Sequence, residues 1–406
     1  MNIPFFNYPR VYLDERDDLI KIFDDIGQRG AFIMQNDLLD FESALADYTD
    51  SNYSIGVANG TDALELALLS IGLQKGDEVI ISSHTMIATA SAIVTANGTP
   101  VPVEIGNDNL ICPEAIESAI NHNTVGIMPT QLNGRTCNMD KIMEIAEKKG
   151  LFVVEDSAQA LGSSFNGQFA GTFGLAGGIS FFPAKVLGCL GDGGGVLVQD
   201  KELYHKIFQY HDHGRDTDDE IKSWGRNSRL DNLQAAILNY RLSKYDEVIL
   251  RRRELATIYQ ELLGGLEELE LPPAPNSDTK HFDVYQNYEL QAKNRDELKA
   301  HLHNNGIGTL IQWSGKAVHQ WPSLGFNLSL PKVESFFEKC IMIPMNVFVT
   351  DSEAEYICDK IKEFYSDGIP DNYSNIVKEI EGEIDTVFVK LLQTLDIGVQ
   401  HLTQIS

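Results

Sequence analysis

A lysine beside a run of glycines is the first group in this chain that could carry out covalent chemistry. Lys185 lies within GISFFPAKVLGCLGDGGGVLV, residues 178–198, where one apolar run leads to the lysine and the glycines lead into another. Burial at the end of an apolar strand favours the neutral form of a lysine amine, and a neutral amine is needed to make an imine. The glycines would let the backbone approach a bulky ligand closely. The alternative is a surface lysine in an ordinary glycine turn.

A carboxylate and an amide follow a different apolar run. Asp156 and Gln159 lie in VVEDSAQALG, residues 153–162, and α/β proteins place ligand-contacting groups directly after such strands. A carboxylate at this position could keep a pyridine nitrogen protonated, so that the ring accepts electrons. Gln159 could reach a phenolic oxygen on the same ring. An aspartate that caps the following helix is the alternative.

A third segment places an Asn-Gly-Thr turn between an apolar run and a helical pattern. It is GVANGTDALELAL, residues 56–68. The free N–H groups and the dipole at such a helix start form a phosphate site, although a well-capped helix without a ligand has the same pattern. A dinucleotide fingerprint is not met by GDGGGV, residues 191–196, because these glycines precede a strand instead of following one.

The three segments together indicate a pyridoxal 5′-phosphate (PLP) enzyme. In chain order they offer a phosphate-binding turn, a carboxylate for a ring nitrogen and a lysine for an imine, all on one α/β sheet. These are the groups that PLP chemistry needs. We therefore predict that the chain uses Lys185 as its Schiff-base lysine to move an amino group.

The chain also resembles the DegT/StrS-type family of nucleotide-sugar aminotransferases, which have the aspartate-aminotransferase fold type I. The resemblance extends from about residue 29 to residue 364. The matching segments, in order, are RGAFI, GVANGTDAL, GDEVIIS, TMIATASAI, VVEDSAQALG, SFFPAKVLGCLGDGGGV, GRNSRLDNLQAAIL and RRRELATIY. It implies a PLP-dependent transaminase that moves an amino group from L-glutamate to C3 or C4 of a nucleotide-linked keto-deoxysugar. Such enzymes serve the biosynthesis of surface polysaccharide, including lipopolysaccharide, or of glycoconjugates.

The resemblance implies a role for each matching residue. Lys185 would hold PLP and, once released, would move a proton of the amino donor as general base and acid. Asp156 would pair with the pyridinium nitrogen, and Gln159 would bond the ring hydroxyl. Gly60 and Thr61 would bind the phosphate.

Two further residues would complete the phosphate site by resemblance. The hydroxyl of Ser180 would assist Gly60 and Thr61. Asn227, in GRNSRL, matches a residue that family members offer to the phosphate from the neighbouring subunit. The resemblance therefore implies a homodimer with a shared active site.

The chain departs from the family at three places. Family members commonly carry an aromatic residue after the threonine of T-[FYW]-x-A, stacked on the cofactor ring, where this chain has Met86; a thioether can still pack on a ring face. The family's H-L-Y-G appears as QLNG at residues 131–134, and Y-P-x-P-x-H appears as WSGKAVH at residues 313–319. Substrate contacts gather in these regions. The expected substrate-binding residues are Arg29, Trp313, Lys316 and His319, and a structural or surface role is the alternative for each.

The elements that must position these groups follow from the apolar pattern of the first half of the chain. Short apolar runs alternate with segments of helical period, which favours a mainly parallel seven-stranded sheet covered by helices, an α/β fold. The predicted strands are Ser54–Val57, Glu78–Ser82, Val101–Glu104, Val125–Pro129, Leu151–Glu155, Gly178–Phe182 and Gly195–Gln199. The predicted helices between them include Asp62–Ile71, Thr85–Ala96, Pro113–Ile120 and Met139–Lys149.

The second half of the chain changes to long helical stretches. One helix is predicted from Leu230 through Arg253 toward Leu263, and a Pro-rich connector follows at Leu271–Lys280. The strand-like DVYQNYELQA, a helix at RDELKAHLHNNG and a last helix near Ser352–Phe364 then predict a smaller α+β domain. The expected divisions are a large PLP-binding domain at 1–240, a small C-terminal domain at 241–366 and a helical extension at 367–406.

The composition is that of a soluble protein and limits its partners. The 406 residues carry 32 Lys and Arg against 59 Asp and Glu, a formal net charge of −27, which repels nucleic acid and anionic lipid. No apolar run approaches the ~20 residues of a membrane span, and the N-terminus lacks the pattern of a signal peptide. The five cysteines lack C-x-x-C spacing. We therefore expect reduced thiols, no metal site and a cytoplasmic protein.

Three other functions have different sequence signatures. A PLP-dependent nucleotide-sugar dehydratase of the same family would carry histidine in place of Lys185. A non-catalytic sensor with this fold is expected to lack Lys185 or Asp156, and both are present. An amino-acid transaminase would want an arginine clamp for the substrate α-carboxylate, and none can be assigned. The sequence favours the sugar aminotransferase.

Overall fold

A seven-stranded sheet forms the centre of the first part of the chain. The structure is a computed structural model that describes residues 1–366, and the helical extension predicted at 367–406 lies outside the described residues. The strands up to residue 198 are β1 (Tyr53–Val57), β2 (Glu78–Ser82), β3 (Thr99–Val103), β4 (Thr124–Met128), β5 (Phe152–Asp156), β6 (Ser164–Phe165), β7 (Gln168–Phe169), β8 (Ala176–Ser180) and β9 (Gly194–Val198). The large sheet has the order β1-β9-β8-β5-β4-β2-β3.

This sheet is mainly parallel, as predicted. β3, β2, β4, β5 and β8 pair in parallel, whereas β9 is antiparallel to both of its neighbours, β8 and β1. The seven predicted strands are all present, and their ends differ from the prediction by no more than two residues. Most of the strand residues are buried. Burial on both faces explains why these strands appear in the sequence as continuous apolar runs.

Helices surround the large sheet. They are α1 (Tyr8–Arg29), α2 (Asn36–Thr49), α3 (Gly60–Ile71), α4 (Ile87–Thr95), α5 (Pro113–Ala119), α6 (Met139–Lys149), α7 (Lys201–His211) and α8 (Asn232–Leu242). Of these, α1 packs against α8. The bounds of α6 are those predicted. α4 begins two residues later than predicted because Met86, the residue before it, has an extended backbone with φ −67° and ψ 147°.

The helix predicted to run from Leu230 toward Leu263 is two helices. α8 ends at Leu242, and α9 covers Tyr245–Leu263. The Ser243 hydroxyl donates to the carbonyl of Tyr240 over 2.7 Å, which satisfies one of the carbonyls that a helix end leaves without a donor. Lys244 has φ −115°, outside the helical range, so the chain turns at this residue.

A second sheet lies in the chain after α9. Its strands are β10 (Leu269–Glu270), β12 (Tyr288–Ala292) and β13 (Cys340–Ile343), with β12 antiparallel to both others, whereas β11 (His281–Phe282) pairs with β6. The remaining helices are α10 (Arg295–Asn304), α11 (Pro331–Lys339), α12 (Asp351–Ser366) and short 3₁₀ helices at Gln312–Gly315, Val318–Gln320 and Pro322–Leu324. β12 is shorter than the predicted strand DVYQNYELQA because Tyr285 has a left-handed φ of 51°, which an extended strand does not allow.

The first residues of the chain pack with this second part. Ile3 pairs with Ile307 and lies in the apolar cluster of the second sheet, although the predicted division places Ile3 in the domain 1–240. The predicted boundaries of the two domains stay a prediction. Among the helices of residues 1–366, none combines the length and the apolar character that a membrane span requires.

Candidate active site

Asp156 and Lys185 meet at the carboxyl end of the parallel strands. Asp156 is the last residue of β5, beside Gly178 of β8, and Lys185 follows the end of β8 on a turn in which its N–H donates to the carbonyl of Phe182 over 2.8 Å. The two side chains interact electrostatically. Parallel strands end at the same edge of a sheet, which is where such proteins bind ligands. The fold thus brings together the two residues that the sequence singled out first.

Burial shifts the pKa of both groups toward their neutral forms. Burial lowers the pKa of Lys185 to about 8, against the opposing effect of the Asp156 charge. Burial also raises the pKa of Asp156, while a hydrogen bond from Thr89, the N–H of Ala158 and the Lys185 charge oppose that shift. A larger share of Lys185 is therefore neutral near pH 7 than of an ordinary lysine, and a neutral amine is the nucleophilic form.

A chain of three threonine hydroxyls leads to Asp156, and the sequence interpretation missed it. Thr89 donates to Oδ2 of Asp156 over 2.6 Å, Thr85 and Thr89 are 2.7 Å apart at their hydroxyls, and Thr130 donates to Thr85 over 2.8 Å. Thr89 is buried on α4 and Thr85 is buried just before it. The i, i+4 spacing of Thr85 and Thr89 was the available signal, since such residues share a helix face.

Gln159 has its amide oriented by the loop after β4. Its Oε1 accepts from the backbone N–H of Asn133 over 2.9 Å and lies 3.4 Å from Nδ2 of Asn287. Because the Oε1 oxygen already accepts these bonds, the NH₂ group is the part of the Gln159 amide that can bind a ligand. An NH₂ group can only donate. A donor here suits a phenolate oxygen, as the predicted contact with a ring hydroxyl requires.

Asn133 connects Gln159 to a buried polar group. Its Nδ2 donates to Glu289 over 2.6 Å, and its Oδ1 accepts from Asn287 over 2.8 Å and from Gln312 over 2.9 Å. Glu289 is 5% exposed and lies 3.4 Å from Nε2 of His84. The change from H-L-Y-G to QLNG therefore places an amide where it links the site to the second sheet.

The predicted phosphate site lies at the start of α3. Asn59 caps this helix, its Oδ1 accepting from the N–H of Asp62 over 2.9 Å, so the N–H groups of Gly60 and Thr61 precede any acceptor within the helix. Ser180, the last residue of β8, lies against Gly60, where an added Cβ would be 2.9 Å from the Ser180 Cβ. The helix start and the Ser180 hydroxyl thus converge.

Glycine at the start of β9 permits this convergence. A Cβ on Gly194 would lie 2.3 Å from the carbonyl carbon of Asn59 and 2.8 Å from the nitrogen of Gly60, closer than real Cβ contacts allow. The backbone of β9 therefore touches the anion-binding turn directly. This explains one of the glycines that the sequence interpretation assigned to close backbone approach.

These residues fit PLP. The helix start with its abutting glycine is a cradle for a phosphate, the NH₂ group of Gln159 is a donor, and Asp156 is a buried carboxylate that interacts electrostatically with Lys185. Met86 is half-exposed at the start of α4. Asn227 is exposed, and its neighbour Ser228 donates to Asp62 of α3 over 2.7 Å. Whether Asn227 and Met86 contact the cofactor stays a prediction.

The four expected substrate residues have other partners. Arg29 pairs with Asp25 and Asp37 at the end of α1. Trp313 has a left-handed φ of 47° and packs against the rings of His84 and Phe337, while Lys316 is exposed, with its amine 4.8 Å from the Trp321 ring centre. The substrate role of these three residues stays a prediction.

His319 is buried, and both of its ring nitrogens have partners. Nδ1 lies 2.7 Å from the Ser83 hydroxyl, and Nε2 lies 3.0 Å from Oε1 of Glu334. These bonds tie the segment after residue 316 to the end of β2 and to α11. The geometry favours the structural alternative for His319 over substrate contact, because neither nitrogen is left to face a ligand.

Comparison with known proteins gives matches over nearly the whole described chain. A sequence model described as the DegT/DnrJ/EryC1/StrS aminotransferase family matches residues 14–362. A protein named dTDP-3-amino-3,4,6-trideoxy-alpha-D-glucose transaminase, from Streptomyces venezuelae, is 34% identical over 368 residues, which cover 89% of this chain and 96% of that protein. A protein named pleiotropic regulatory protein, from Geobacillus stearothermophilus, is 34% identical over 372 residues, covering 90% and 99%.

Solved structures give the same result. The crystal structure of S. venezuelae DesV in complex with a ketimine intermediate is 34% identical, with a TM-score of 0.85 over 89% of this chain and 98% of that one. The crystal structure of NtdA from Bacillus subtilis with bound cofactor PMP is 27% identical, with a TM-score of 0.82 over 89% and 85%. These likenesses confirm the predicted fold class.

Proposed function

The chain belongs to the DegT/DnrJ/EryC1/StrS aminotransferase family and is a PLP-dependent aminotransferase, and from this premise we propose that it aminates a nucleotide-linked keto-deoxysugar with L-glutamate as donor. The relatives' names support a nucleotide-sugar acceptor, since they include a dTDP-sugar transaminase, a UDP-sugar aminotransferase from Pseudomonas aeruginosa and a GDP-perosamine synthase from Escherichia coli. These names include dTDP-, UDP- and GDP-linked compounds, so the proposal covers each of these nucleotides and amination at C3 or C4.

The interaction of Lys185 with Asp156 carries this proposal. Lys185 follows β8, Asp156 ends β5, and burial together with the Asp156 charge sets the pKa of the lysine near 8. A lysine that titrates there can act both as a nucleophile and as an acid or base near neutral pH. An exposed lysine far from a carboxylate would not have this property.

PLP, when bound, supplies an electron sink for the negative charge that develops at the α-carbon of the amino donor. As general base, Lys185 would take the proton from that α-carbon, and as general acid it would deliver the proton to the C4′ carbon of the cofactor. Asp156 would hold a proton on the ring nitrogen of bound PLP, because a carboxylate beside a protonated nitrogen stabilises its positive charge. Thr89 holds the Asp156 carboxylate in place over 2.6 Å.

The other site residues bind and orient. The NH₂ group of Gln159 would donate to the ring oxygen of PLP, and the N–H groups at the start of α3 with the Ser180 hydroxyl would bind its phosphate. Asn227 would complete the phosphate site of a second subunit, so we propose a homodimer with shared sites. The exposed position of Asn227 supports this arrangement. A cytoplasmic location and a role in surface-polysaccharide synthesis belong to the same proposal.

The test is a half-reaction followed by a full reaction. PLP-loaded protein should show the visible absorption of the lysine-bound cofactor, and L-glutamate should bleach it. The resulting amino form should then aminate one member of a panel of dTDP-, UDP- and GDP-linked 3- and 4-keto-sugars, as followed by mass spectrometry. Lys185→Ala should lose both the absorption and the turnover, whereas Lys149→Ala, at the exposed end of α6, should retain them. Absorption that persists with L-glutamate would contradict the proposed donor.

A further inference from the structure

A short segment from the second sheet reaches both Lys185 and Gln159. Residues 285–287 lead into β12, and Tyr285 has a left-handed φ of 51°. Such a backbone is strained for a bulky aromatic residue and persists only where the surroundings enforce it. The two residues after Tyr285, which are Gln286 and Asn287, are turned toward the site by this conformation.

Gln286 bonds the peptide groups on both sides of Lys185. Its Nε2 donates to the carbonyl of Ala184 over 2.8 Å, and its Oε1 accepts from the N–H of Val186 over 2.8 Å. One side-chain amide thus spans the lysine residue. Gln286 is 6% exposed, so water does not readily replace either bond.

Asn287 contacts Gln159, the residue predicted to bond the ring hydroxyl of the cofactor. Its Nδ2 donates to Oδ1 of Asn133 over 2.8 Å and lies 3.4 Å from Oε1 of Gln159. Adjacent residues of one segment therefore contact the lysine turn and the amide of Gln159, the predicted partner of the ring oxygen. The relative position of Lys185 and Gln159 depends on this segment.

The segment itself is held from two sides. The buried guanidinium of Arg252, on α9, donates to the carbonyls of Tyr285 (2.9 Å) and Gln286 (3.1 Å). On the other side lies Gly134 with φ +89°, where a Cβ would be 2.6 Å from the nitrogens of both Tyr285 and Gln286. Glycine at this position, in QLNG, is what permits the close approach.

We propose that Gln286 is a positioning residue for Lys185, fixing the two peptide groups that flank the lysine so that its amine is directed at the bound cofactor and toward Asp156. Lys185 sits on a turn rather than on a strand, so its backbone needs an external constraint, and two bonds from one buried amide supply it. The inference rests on the proposed function only in taking Lys185 as the lysine that holds PLP. A misplacement of about 1 Å can cost roughly 100-fold in rate when reacting groups must be aligned.

Three variants test this role. Gln286→Leu keeps the size of the side chain and removes both bonds, whereas Gln286→Glu keeps an acceptor for the Val186 N–H and loses the donor to Ala184. The matched control is Gln291→Leu, because Gln291 lies on β12 and its amide bonds the remote Glu270 over 2.7 Å. All three are first compared with the wild type by thermal unfolding.

The decisive readouts depend on orientation and not on stability. In cofactor-free protein, the rate at which Lys185 captures pyridoxal should fall about 10- to 100-fold in Gln286→Leu, less in Gln286→Glu and not in Gln291→Leu. In loaded protein, the visible circular dichroism of the lysine-bound cofactor should change in Gln286→Leu, and kcat should fall with little change in KM for L-glutamate.

Equal capture rates and an unchanged visible circular dichroism in folded Gln286→Leu would overturn the positioning role, even if its melting temperature were lower. If Gln286→Leu does not fold, the capture rate of Gln286→Glu decides, and a wild-type rate would overturn the role. Wild-type protein that fails to capture PLP at Lys185 would instead overturn the function of the lysine. The two failures are therefore distinguishable.

Discussion

Thr89 donates a hydrogen bond of 2.6 Å to Oδ2 of Asp156, across 67 residues of sequence. The donor of Thr89 is committed to the carboxylate, so the hydroxyl of Thr85, 2.7 Å away, must donate to Thr89, and Thr130 donates to Thr85. Each hydroxyl therefore donates to the next group in a chain of hydrogen bonds that ends at the Asp156 carboxylate. Such a chain favours the ionised carboxylate, because it supplies donors and no competing acceptor.

Thr89→Val should weaken the function of Asp156 without emptying the space beside it. Valine has nearly the same shape but no donor, and a hydrogen bond to a charged group contributes about 1.5–3 kcal/mol. The pKa of Asp156 should rise, since the Thr89 bond lowers it. We expect kcat to fall roughly tenfold or more, as measured in the glutamate half-reaction.

The same helix provides the control for this change. Thr95→Val, at the exposed end of α4, removes a hydroxyl that bonds the helix carbonyls of Ser91 and Ala92 and the side chain of Glu65, none of them a predicted cofactor contact, and should keep the wild-type kcat. Thr89→Ser, which retains the donor, should recover most of the loss. A Thr89→Val enzyme with full activity would show that the hydroxyl chain does not support Asp156.

The reaction of cofactor-free protein with PLP should depend on pH with a midpoint near 8. Only the neutral amine attacks, and burial lowers the pKa of Lys185 to about 8. The capture rate should therefore rise with pH and level off above that value, as followed by stopped-flow absorption. A midpoint near that of an ordinary lysine, about 10.4, would contradict the burial argument.

Asp156→Asn should move this midpoint to lower pH. The Asp156 charge raises the pKa of Lys185, so its removal leaves burial unopposed and lowers that pKa. Asp192→Asn, a change at an exposed carboxylate in the glycine-rich segment, should leave the midpoint in place. A shift to higher pH in Asp156→Asn would mean that the two groups do not interact as the structure indicates.

Glu155→Gln should destabilise the protein. Glu155 precedes Asp156 in the chain, and its carboxylate bonds protein groups. The buried Glu155 carboxylate accepts from the backbone N–H groups of Gly171, Phe173 and Gly174 and from Nε2 of Gln131. A glutamine would turn an NH₂ toward these donors, which should cost about 2–4 kcal/mol. Urea unfolding measures this loss, and Glu147→Gln, on the exposed face of α6, is the control.

The sequence predicted the strands correctly and singled out Asp156 and Lys185, because both kinds of feature leave local signals. β2 and β5 contain runs of buried apolar residues. Asp156 ends β5, and Lys185 lies on the turn that follows β8. Parallel strands end at one edge, so residues after different strands could be expected to meet. Nothing beyond local pattern and strand order was needed for this inference.

The supporting contacts were not predictable, because they join residues far apart in sequence. Gln286 bonds Val186 and Ala184, which lie 100 and 102 residues before it in the sequence. In the sequence, Gln286 appeared only as part of the predicted strand DVYQNYELQA. The bonds of His319 to Ser83 and Glu334 likewise join distant parts of the sequence. A side chain's partners depend on how the second sheet packs against the first, which one-dimensional patterns do not contain.

Gly194→Ala should impair phosphate binding by moving the start of α3. Gly194 begins β9 between Val57 of β1 and Ser180 of β8, and its added Cβ would lie 2.3 Å from the Asn59 carbonyl carbon and 2.8 Å from the Gly60 nitrogen. These are backbone atoms, so no side-chain rotation relieves the contact. The overlap should cost about 1–3 kcal/mol of stability and turn the Gly60 and Thr61 N–H groups away from the phosphate.

We expect the affinity of the cofactor-free Gly194→Ala protein for PLP to fall at least about tenfold. Its affinity for pyridoxal, which lacks the phosphate, should change much less. Titration by visible absorption measures both affinities, with Gly265→Ala as the control because its Cβ would meet no atom within 4 Å. Equal losses for PLP and pyridoxal would place the damage at Lys185 and not at the helix start.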